Sequence, residues 1–415
     1  AQWGHVTKSV AYALRGKVYL WIKEWAKAEA DFRQVGNMGH KLFDGGYKQL
    51  FKEANEQSDE AIFSLQCIDN NGTADGNSMS FRYGGRTTFG SCWNTILAST
   101  DFVDTYENID GSKFNWDDYL PGYSSMEPKD REVFFLRNTD ADVLKAELLS
   151  LGYEGDIDAA IKGIREKVEN RLSKLSTAAQ ALYLPAGNEA RIKKAYESRD
   201  PRLQMAVITP YAQYNGASSG IAHTYTLRWP YRGSDSAEPF DIRTDTNDKF
   251  YYLWRKFVPE GLEQTERDTY GLDIPLIRYA EVLLLKAEAL NEWGSTHESE
   301  AIRCVNEVRR RAGHVELNNA TYPATKVNGQ SDLRERIRNE YYWEIGGEDS
   351  MYFHELRWGT WKDKKFDNNR NGLMQMWGET TYTWYWLGDQ CWSWPIPAKE
   401  MEMNSNLEQN EGWIN

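Results

Sequence analysis

The stretch PLIRYAEVLLLKAEALNEWGSTHESEAIRCVNEVRRRAG, residues 275–313, decides the fold. It reads as two helices joined by a short turn. In the first, Leu276, Tyr279, Ala280, Leu283, Leu284, Ala287 and Leu290 recur at three- and four-residue steps, while Arg278, Glu281, Glu288 and Glu292 share the opposite side. Gly294 ends that helix. Ser295 and Glu298 then have the spacing of a capping box, in which each side chain satisfies a free amide at the next helix start. The second helix carries Ala301, Val305, Val308 and Ala312 on one stripe, with Arg303, Glu307 and Arg311 outside and Gly313 closing it.

The same unit occurs at the start of the chain. Tyr12, Gly16, Tyr19, Ala28 and Phe32 have the spacing of a tetratricopeptide repeat, with Gly16 and Ala28 letting two helix backbones approach and the rings filling the gap. More than two hundred residues separate the two copies, so helical repeats with large insertions are expected rather than a continuous solenoid. The expected fold is therefore mainly α, with tetratricopeptide-like hairpins as scaffold, long irregular loops and a few short strands.

Composition narrows the function. The 415 residues carry 49 basic and 62 acidic side chains, a net charge of −13, and no basic run long enough to track phosphates, which argues against nucleic acid. A mean hydropathy of −0.71 and the lack of a long apolar run exclude a membrane-spanning helix. Cys67, Cys92, Cys304 and Cys391 are too widely spaced for zinc; they are free and buried, or disulfide-bonded if the protein is exported. The chain begins at Ala1 rather than Met, which suggests a processed product or a fragment. Its abnormal feature is 17 Trp and 24 Tyr against 15 Phe. Rings beyond the needs of a core either brace long loops or present faces to a ligand, and sugar rings suit such faces.

Two regions gather rings with hydrogen-bonding side chains. The first is the Gly-, Ser- and Asn-rich stretch from Asp69 to Trp93, where Arg82, Tyr83, Arg86 and Trp93 stand out beside Asn70 and Asn77. Its bland alternative is an ordered loop with Tyr83 and Trp93 tucked inward. The second runs from Tyr211 to Phe257 and holds Tyr225, Arg228, Trp229, Tyr231, Arg232 and Trp254. A third aromatic block, Trp377, Tyr382, Trp384, Tyr385, Trp386, Trp392 and Trp394, lies near the end. Catalytic signatures are missing: there is no H-E-x-x-H, G-x-S-x-G, Walker or dinucleotide fingerprint, and the six histidines are scattered. Glu340, Glu344 and Glu348, at four-residue steps, are the best carboxylate cluster for glycoside hydrolysis, but Arg336 and Arg338 beside them favour a salt-bridged helix face. The run RTDTNDK, residues 243–249, is acidic enough for calcium yet lacks the EF-hand loop.

Taken together, these pieces resemble the SusD/RagB family of surface glycan-binding lipoproteins of Bacteroidota. The resemblance is carried by Ile277 through Leu284 with Ala287 through Glu292, by Ala301 through Asn306, Val308-Arg309 and Arg311-Ala312-Gly313, and by Arg334 through Glu340, Glu344 and Leu356-Arg357-Trp358-Gly359. Pro395-Ile396-Pro397, Asn404, Leu407, Gln409-Asn410 and Gly412 resemble its C-terminal ending. The resemblance implies one SusD-like domain lacking the usual N-terminal part: a helical hairpin over 1–55, a variable ligand-binding region over 60–260 with a helical insertion at about 140–184, and the family core over 265–415. It also implies non-catalytic binding of oligo- or polysaccharide at the outer-membrane surface, without a cofactor, and a SusC-like TonB-dependent transporter as partner. The family's lipid-modified cysteine is not in this sequence, so anchoring is part of what is implied. The site expected from the residues is Tyr83, Trp93, Trp229 and Tyr231 as stacking platforms, with Asn70, Asn77, Arg82, Arg86 and Arg228 bonding to hydroxyls or acidic groups. Peptide capture on the same scaffold, a glycoside hydrolase and a tetratricopeptide adaptor are the alternatives.

Overall fold

The computed structural model describes residues 4–68, 75–218, 220–231, 241–242, 249–264, 266–267, 269–348, 351–366 and 372–414. The first hairpin is α1 (Lys8–Trp21) and α2 (Trp25–Asn37). Thr7 caps α1 by accepting from the amide of Val10. At Gly16 a Cβ would stand 2.5 Å from Cε1 of Phe32, so the close approach expected from the repeat spacing is real. A short helix α3 (Tyr47–Leu50) leads to strand β1 (Ala61–Leu65), and α4 (Met79–Tyr83) and α5 (Thr100–Asp104) follow.

The insertion comprises α6 (Ala141–Ser150), α7 (Ile157–Leu172), α8 (Thr177–Gln180) and α9 (Pro185–Glu197). Asp140 and Asp156 cap α6 and α7, and Ile161, Ile164 and Val168 of α7 are buried on the stripe expected for them. After α10 (Arg202–Ala206) come β2 (Val207–Ile208), a hairpin of β3 (Gln213–Ser218) with β4 (Ile221–Thr226), β5 (Leu253–Trp254) and β6 (Ile274–Arg278). Then follow α11 (Tyr279–Trp293), α12 (Glu298–Ala312), α13 (Gln330–Ile345), α14 (Met351–Trp358) and α15 (Trp361–Lys365). Each described strand belongs to a two-stranded antiparallel sheet; β1 pairs with β6, and β2 with β5.

Two apolar cores organise these elements. One joins α1, α2, α11, α12 and α13 around Phe32, Leu284, Leu290, Val305, Leu333 and Ile337. The other, ring-rich core lies under the insertion and loops around Tyr106, Trp116, Tyr196, Trp229, Phe250, Trp343 and Trp377. Leu144, Leu148, Ile161 and Ile164 form a small satellite between α6 and α7.

The deciding stretch folds as two helices, with three corrections. Its start, including Leu276, is strand β6 rather than helix, because residues 274–278 pair with β1. The capping box does not form: Ser295–His297 is a 3₁₀ turn without a side-chain cap, and Trp293 stacks on His297 at 4.1 Å there. Third, the polar side of α11 does not face water. Arg278, Glu281 and Glu288 are buried, because α1 and α2 cover one side of α11 while α12, α13 and α14 cover others. Glu281 pairs with Lys17 at 2.7 Å and accepts from the Tyr341 hydroxyl at 2.6 Å. Glu288 accepts from Arg357 at 2.7 Å and from the Trp358 indole at 3.1 Å, and Glu292 takes both arms of Arg334. Arg311, expected outside on α12, also turns inward.

Arg311 joins a buried ion network between the two cores. Arg202 meets Asp200 at 2.6 Å, Glu340 at 2.7 Å and Glu344 at 3.2 Å. Arg278 meets Glu348 at 2.7 Å and Glu344 at 3.1 Å, and also Glu60. Arg311 bridges Glu60 at 2.8 Å and Glu344. Arg309 links Glu340 at 2.8 Å to Glu107 at 3.1 Å, and Lys256 reaches Glu348 and the carbonyls of Glu344 and Gly346. Burial alone would raise the Glu344 carboxyl, but Arg311, Arg278 and Arg202 hold it well below the ordinary carboxylate range. Asp200 is likewise lowered, against its burial, by Arg202 and His314. Glu281 is held at about 2 despite burial, chiefly by Lys17 and His354. The Glu340, Glu344 and Glu348 row is therefore a structural brace.

Three outcomes follow from this architecture. Gly16→Val must push Phe32 aside, and chemical denaturation should show a loss of about 1–3 kcal/mol. Glu344→Gln leaves buried guanidinium charge uncompensated and should cost about 3–5 kcal/mol in the same assay. Because Glu344, Asp200 and Glu281 have folded pKa values below their unfolded ones, the unfolded chain takes up more protons as pH falls. Their stabilisation is fully present above about pH 5–6 and is lost progressively towards about pH 2. The melting temperature of the native protein should fall over that window in calorimetry, and that of Glu344→Gln should fall less steeply.

Candidate functional site

The nine residues expected to form the site do not come together. Trp229 is 2% exposed and sits in the ring-rich core, stacked on Phe250 at 5.3 Å and tilted against Trp377 at 5.8 Å. Its indole N–H donates to Glu132 at 2.7 Å, and Arg171 of α7 lies over the ring at 5.0 Å. Tyr231 is buried edge-on against it, and its hydroxyl donates to the Lys249 carbonyl. Arg228 is mostly covered and lies 3.4 Å from both Glu147 of α6 and Asp241. These three residues are corrected from ligand-binding to structural positions, because the helical insertion closes over them. Lys167 of α7 donates to the Tyr231 carbonyl at 2.9 Å, and Arg171 grips Glu132 beneath Trp229.

The first loop divides between inside and outside. Asn77 is buried, with its amide donating to the carbonyls of Tyr270 and Leu272 and its oxygen accepting from the Met79 amide. Tyr83 is buried too, stacked on Trp254 at 5.7 Å and donating to the Gly347 carbonyl at 3.0 Å. Both are anchors, which corrects their expected ligand roles. Asn70 and most of residues 243–249 lie outside the described residues.

What remains outside is a ridge built on α4. Tyr83 points in, so the preceding residues Phe81 and Arg82 point towards the surface. The amide of Trp93 donates to the Phe81 carbonyl at 3.0 Å and that of Ile96 to the Arg82 carbonyl at 3.1 Å, which lays the following segment along the helix. Trp93 is 44% exposed and its ring centroid is 5.2 Å from that of Phe81. Two guanidinium groups border the rings: Arg86 lies 6.0 Å from Trp93, and Arg267 lies 5.6 Å from Trp93 and 5.0 Å from Phe81; Arg82, next to Phe81 in α4, is exposed. Arg267 is fixed by donating to the Ser91 carbonyl at 3.2 Å. Its stem crosses Gly90, where a Cβ would stand 2.6 Å from Arg267 Cγ, and the φ of +72° there is itself a glycine conformation. Of the expected residues, Arg86 and Trp93 are thus brought together, with Arg82 exposed on the short helix that carries Phe81. Phe81 and Arg267 were missed: Phe81 looks like an ordinary helix residue, and nothing in the sequence links Arg267 to this loop.

A second exposed aromatic surface comes from the C-terminal block. Trp377 is a core residue, whereas Tyr382, Tyr385 and Trp394 are 65%, 75% and 75% exposed. Trp361 is the hub of this surface, edge-on to Tyr352, Phe366, Trp386 and Trp392 at 5.3–5.9 Å. The chain end is tied to it: Gln409 bonds both ways with the Ile396 backbone, and the Trp413 indole donates to the carbonyls of Gln390 and Ser393. The rings around Trp361 pack on one another, whereas Tyr382, Tyr385 and Trp394 stand outside that cluster. A polar cavity of about 820 Å³ between residues 104–114 and 324–339 is a poorer stacking site, since Arg199 lies 3.0 Å from the centroid of its Phe114. Among the described residues no cluster of side chains could hold a metal ion, no disulfide links the cysteines, and no helix is long and apolar enough to cross a membrane.

Comparison with known proteins identifies the family. The family model described as the SusD family matches residues 59–413. The chain belongs to the SusD family. Over 139 residues it is 32% identical to SusD-like protein P38 of Formosa agariphila, covering 33% of this chain and 24% of that protein. Over 161 residues it is 28% identical to starch-binding protein SusD of Bacteroides thetaiotaomicron, covering 39% and 25%. The aligned segments thus span about a quarter of these two relatives. The fold is similar to those of two solved Bacteroides fragilis proteins. One is a SusD-like protein with a TM-score of 0.61 at 19% identity, covering 99% of this chain and 66% of the other. The second, a SusD-like carbohydrate binding protein, has a TM-score of 0.59 at 21% identity, covering 98% and 66%. These likenesses establish the helical, tetratricopeptide-like scaffold of this SusD-family chain.

If the Trp229 region is core, Trp229→Ala should behave as a core truncation. Denaturant unfolding should show a loss of about 3–5 kcal/mol, with ligand retention unchanged for the protein that remains folded.

Proposed function

We propose that this chain binds oligo- or polysaccharide at a bacterial cell surface without cleaving it, and hands it to a SusC-like TonB-dependent transporter. The observation that carries the reading is the ridge of Trp93, Phe81, Arg82, Arg86 and Arg267 on a rigid scaffold. An indole with a free surface packs against the axial C–H groups of a sugar, and fixed guanidinium groups beside it reach the ring oxygens and hydroxyls. Membership of the SusD family supports the ligand class, and the names of the starch-binding and carbohydrate-binding relatives agree with it. The transporter partner and a lipid anchor to the outer membrane are what SusD-family membership leads us to expect. Among the described residues the best carboxylate cluster, the Glu340–Glu344–Glu348 row, is locked to Arg202, Arg278, Arg309 and Arg311. The proposed role is therefore capture rather than cleavage.

A second location for the same function is the C-terminal face, favoured by the exposure of Tyr385 and Trp394. Affinity electrophoresis in gels containing different polysaccharides separates the two. With stacking on an aromatic ring worth about 1–3 kcal/mol per unit, as for bases, Trp93→Ala should weaken retention about tenfold while Trp394→Ala leaves it unchanged. Loss of retention in Trp394→Ala alone moves the site to the C-terminal face. No retention of the native chain by any polysaccharide removes the reading.

A further inference from the structure

We infer that the saccharide taken by the Trp93 ridge is anionic, a polymer bearing carboxylates or sulfates rather than a neutral glucan. The inference rests on the reading of this ridge as the saccharide site and adds the chemical class of its ligand. It starts from a contrast in how this chain spends its arginines. Acidic side chains outnumber basic ones by 62 to 49, so carboxylate partners are abundant. Accordingly, arginine after arginine takes one, on the surface as well as inside: Arg15 with Asp31, Arg33 with Glu29, Arg310 with Glu316, Arg334 with Glu292 and Arg357 with Glu288. Arg131, Arg165, Arg191 and Arg199 are instead spent on carbonyl or amide oxygens away from any exposed indole, and Arg82 and Arg267 follow neither habit in full. Among the described residues no carboxylate lies within ion-pair distance of Arg82 or Arg267.

Two acids upstream of Arg267 are engaged with other cations. Glu260 and Glu263, just before Arg267 in sequence, are drawn to Lys48 at 2.9 Å and Lys52 at 2.6 Å, and Glu260 also holds Arg255 at 3.0 Å. Arg267 does not swing freely; the Ser91 carbonyl and the Gly90 backbone hold its guanidinium beside Phe81 and Trp93. A fixed guanidinium with unspent N–H groups presents a planar fork that matches a carboxylate or sulfate edge, which a neutral hydroxyl does not exploit. In a chain of net charge −13, long-range repulsion of a polyanion must also be overcome locally, and a cationic ridge does so within a Debye length. Stacking on Trp93 would give the sugar ring its place, and Arg82 and Arg267 its charge.

The test uses the native chain, Trp93→Ala, Arg82→Gln, Arg267→Gln, the double arginine variant, and Arg303→Gln as a control on the far helix α12. Each is titrated calorimetrically and run in affinity gels against polygalacturonate, a sulfated galactan, starch, a neutral β-glucan and poly-glutamate. The expected result is retention by one of the acidic polysaccharides, weakened tenfold or more by the double arginine variant and by raised salt. Trp93→Ala should weaken it too, and Arg303→Gln should not. Binding of starch or β-glucan that depends on Trp93 but ignores both arginines overturns the inference and leaves the saccharide reading standing. Equal binding of poly-glutamate overturns it in favour of an unspecific acidic partner. Binding of none of the polysaccharides overturns both.

Discussion

A buried carboxylate surrounded by three arginines sits at the junction of this molecule. Glu344 lies at the end of α13, and its partners come from β6, α10 and α12. Removing such charges from water is costly, and the cost is met only when every partner arrives in the correct geometry. The constraint therefore reaches far along the chain. Glu60 must precede β1, Glu107 must follow α5, and the Asp200-Pro201-Arg202 turn must return the chain from the insertion to the same point. A hydrophobic junction of equal volume would tolerate slippage between helices, whereas a set of interlocked forks does not.

That junction explains how a helical-repeat scaffold carries such large irregular segments. The network pins Glu60 and Glu107 on either side of the first loop, and Arg202 and Lys256 on either side of the β2–β5 segment. Between those roots each segment closes on rings: Tyr83 on Trp254 for the first, Trp229 on Phe250 and Trp377 for the second. Much of the aromatic surplus is thus spent on giving loops a core of their own. The ridge at Trp93 is then displayed from a base as firm as a helix face, because α4 is anchored from below by Tyr83.

The helical frame was legible in the sequence because its signals are local. The three- and four-residue spacing of α11 and α12, the glycine at the end of each and the Gly16–Phe32 approach all depend on neighbours within a turn or a hairpin. What escaped were relations between distant segments. Arg278, Glu281 and Glu288 looked like a solvated stripe because spacing alone does not reveal that further helices cover that side. Trp229 and Tyr231 looked like platforms because the covering helices α6 and α7 are encoded far upstream. The resemblance carried by residues 277–313, 334–359 and 395–412 is borne out by the family match over 59–413, and the mainly helical scaffold with it.

Trp229 and Trp377 differ from Trp93 in how the polar edge of the indole is spent. Trp229 has its indole N–H spent on Glu132, and Trp377 has its own spent on Glu379 at 2.9 Å; both polar handles are satisfied internally, so the rings are free to be core. Trp93 makes no such internal bond among the described residues, and two guanidinium groups border its ring together with Phe81. A guanidinium beside an exposed indole keeps that surface from collapsing into an apolar contact while leaving it attractive to a ring that carries oxygens. The same cations that hold the ridge open are therefore the groups best placed to decide what it takes.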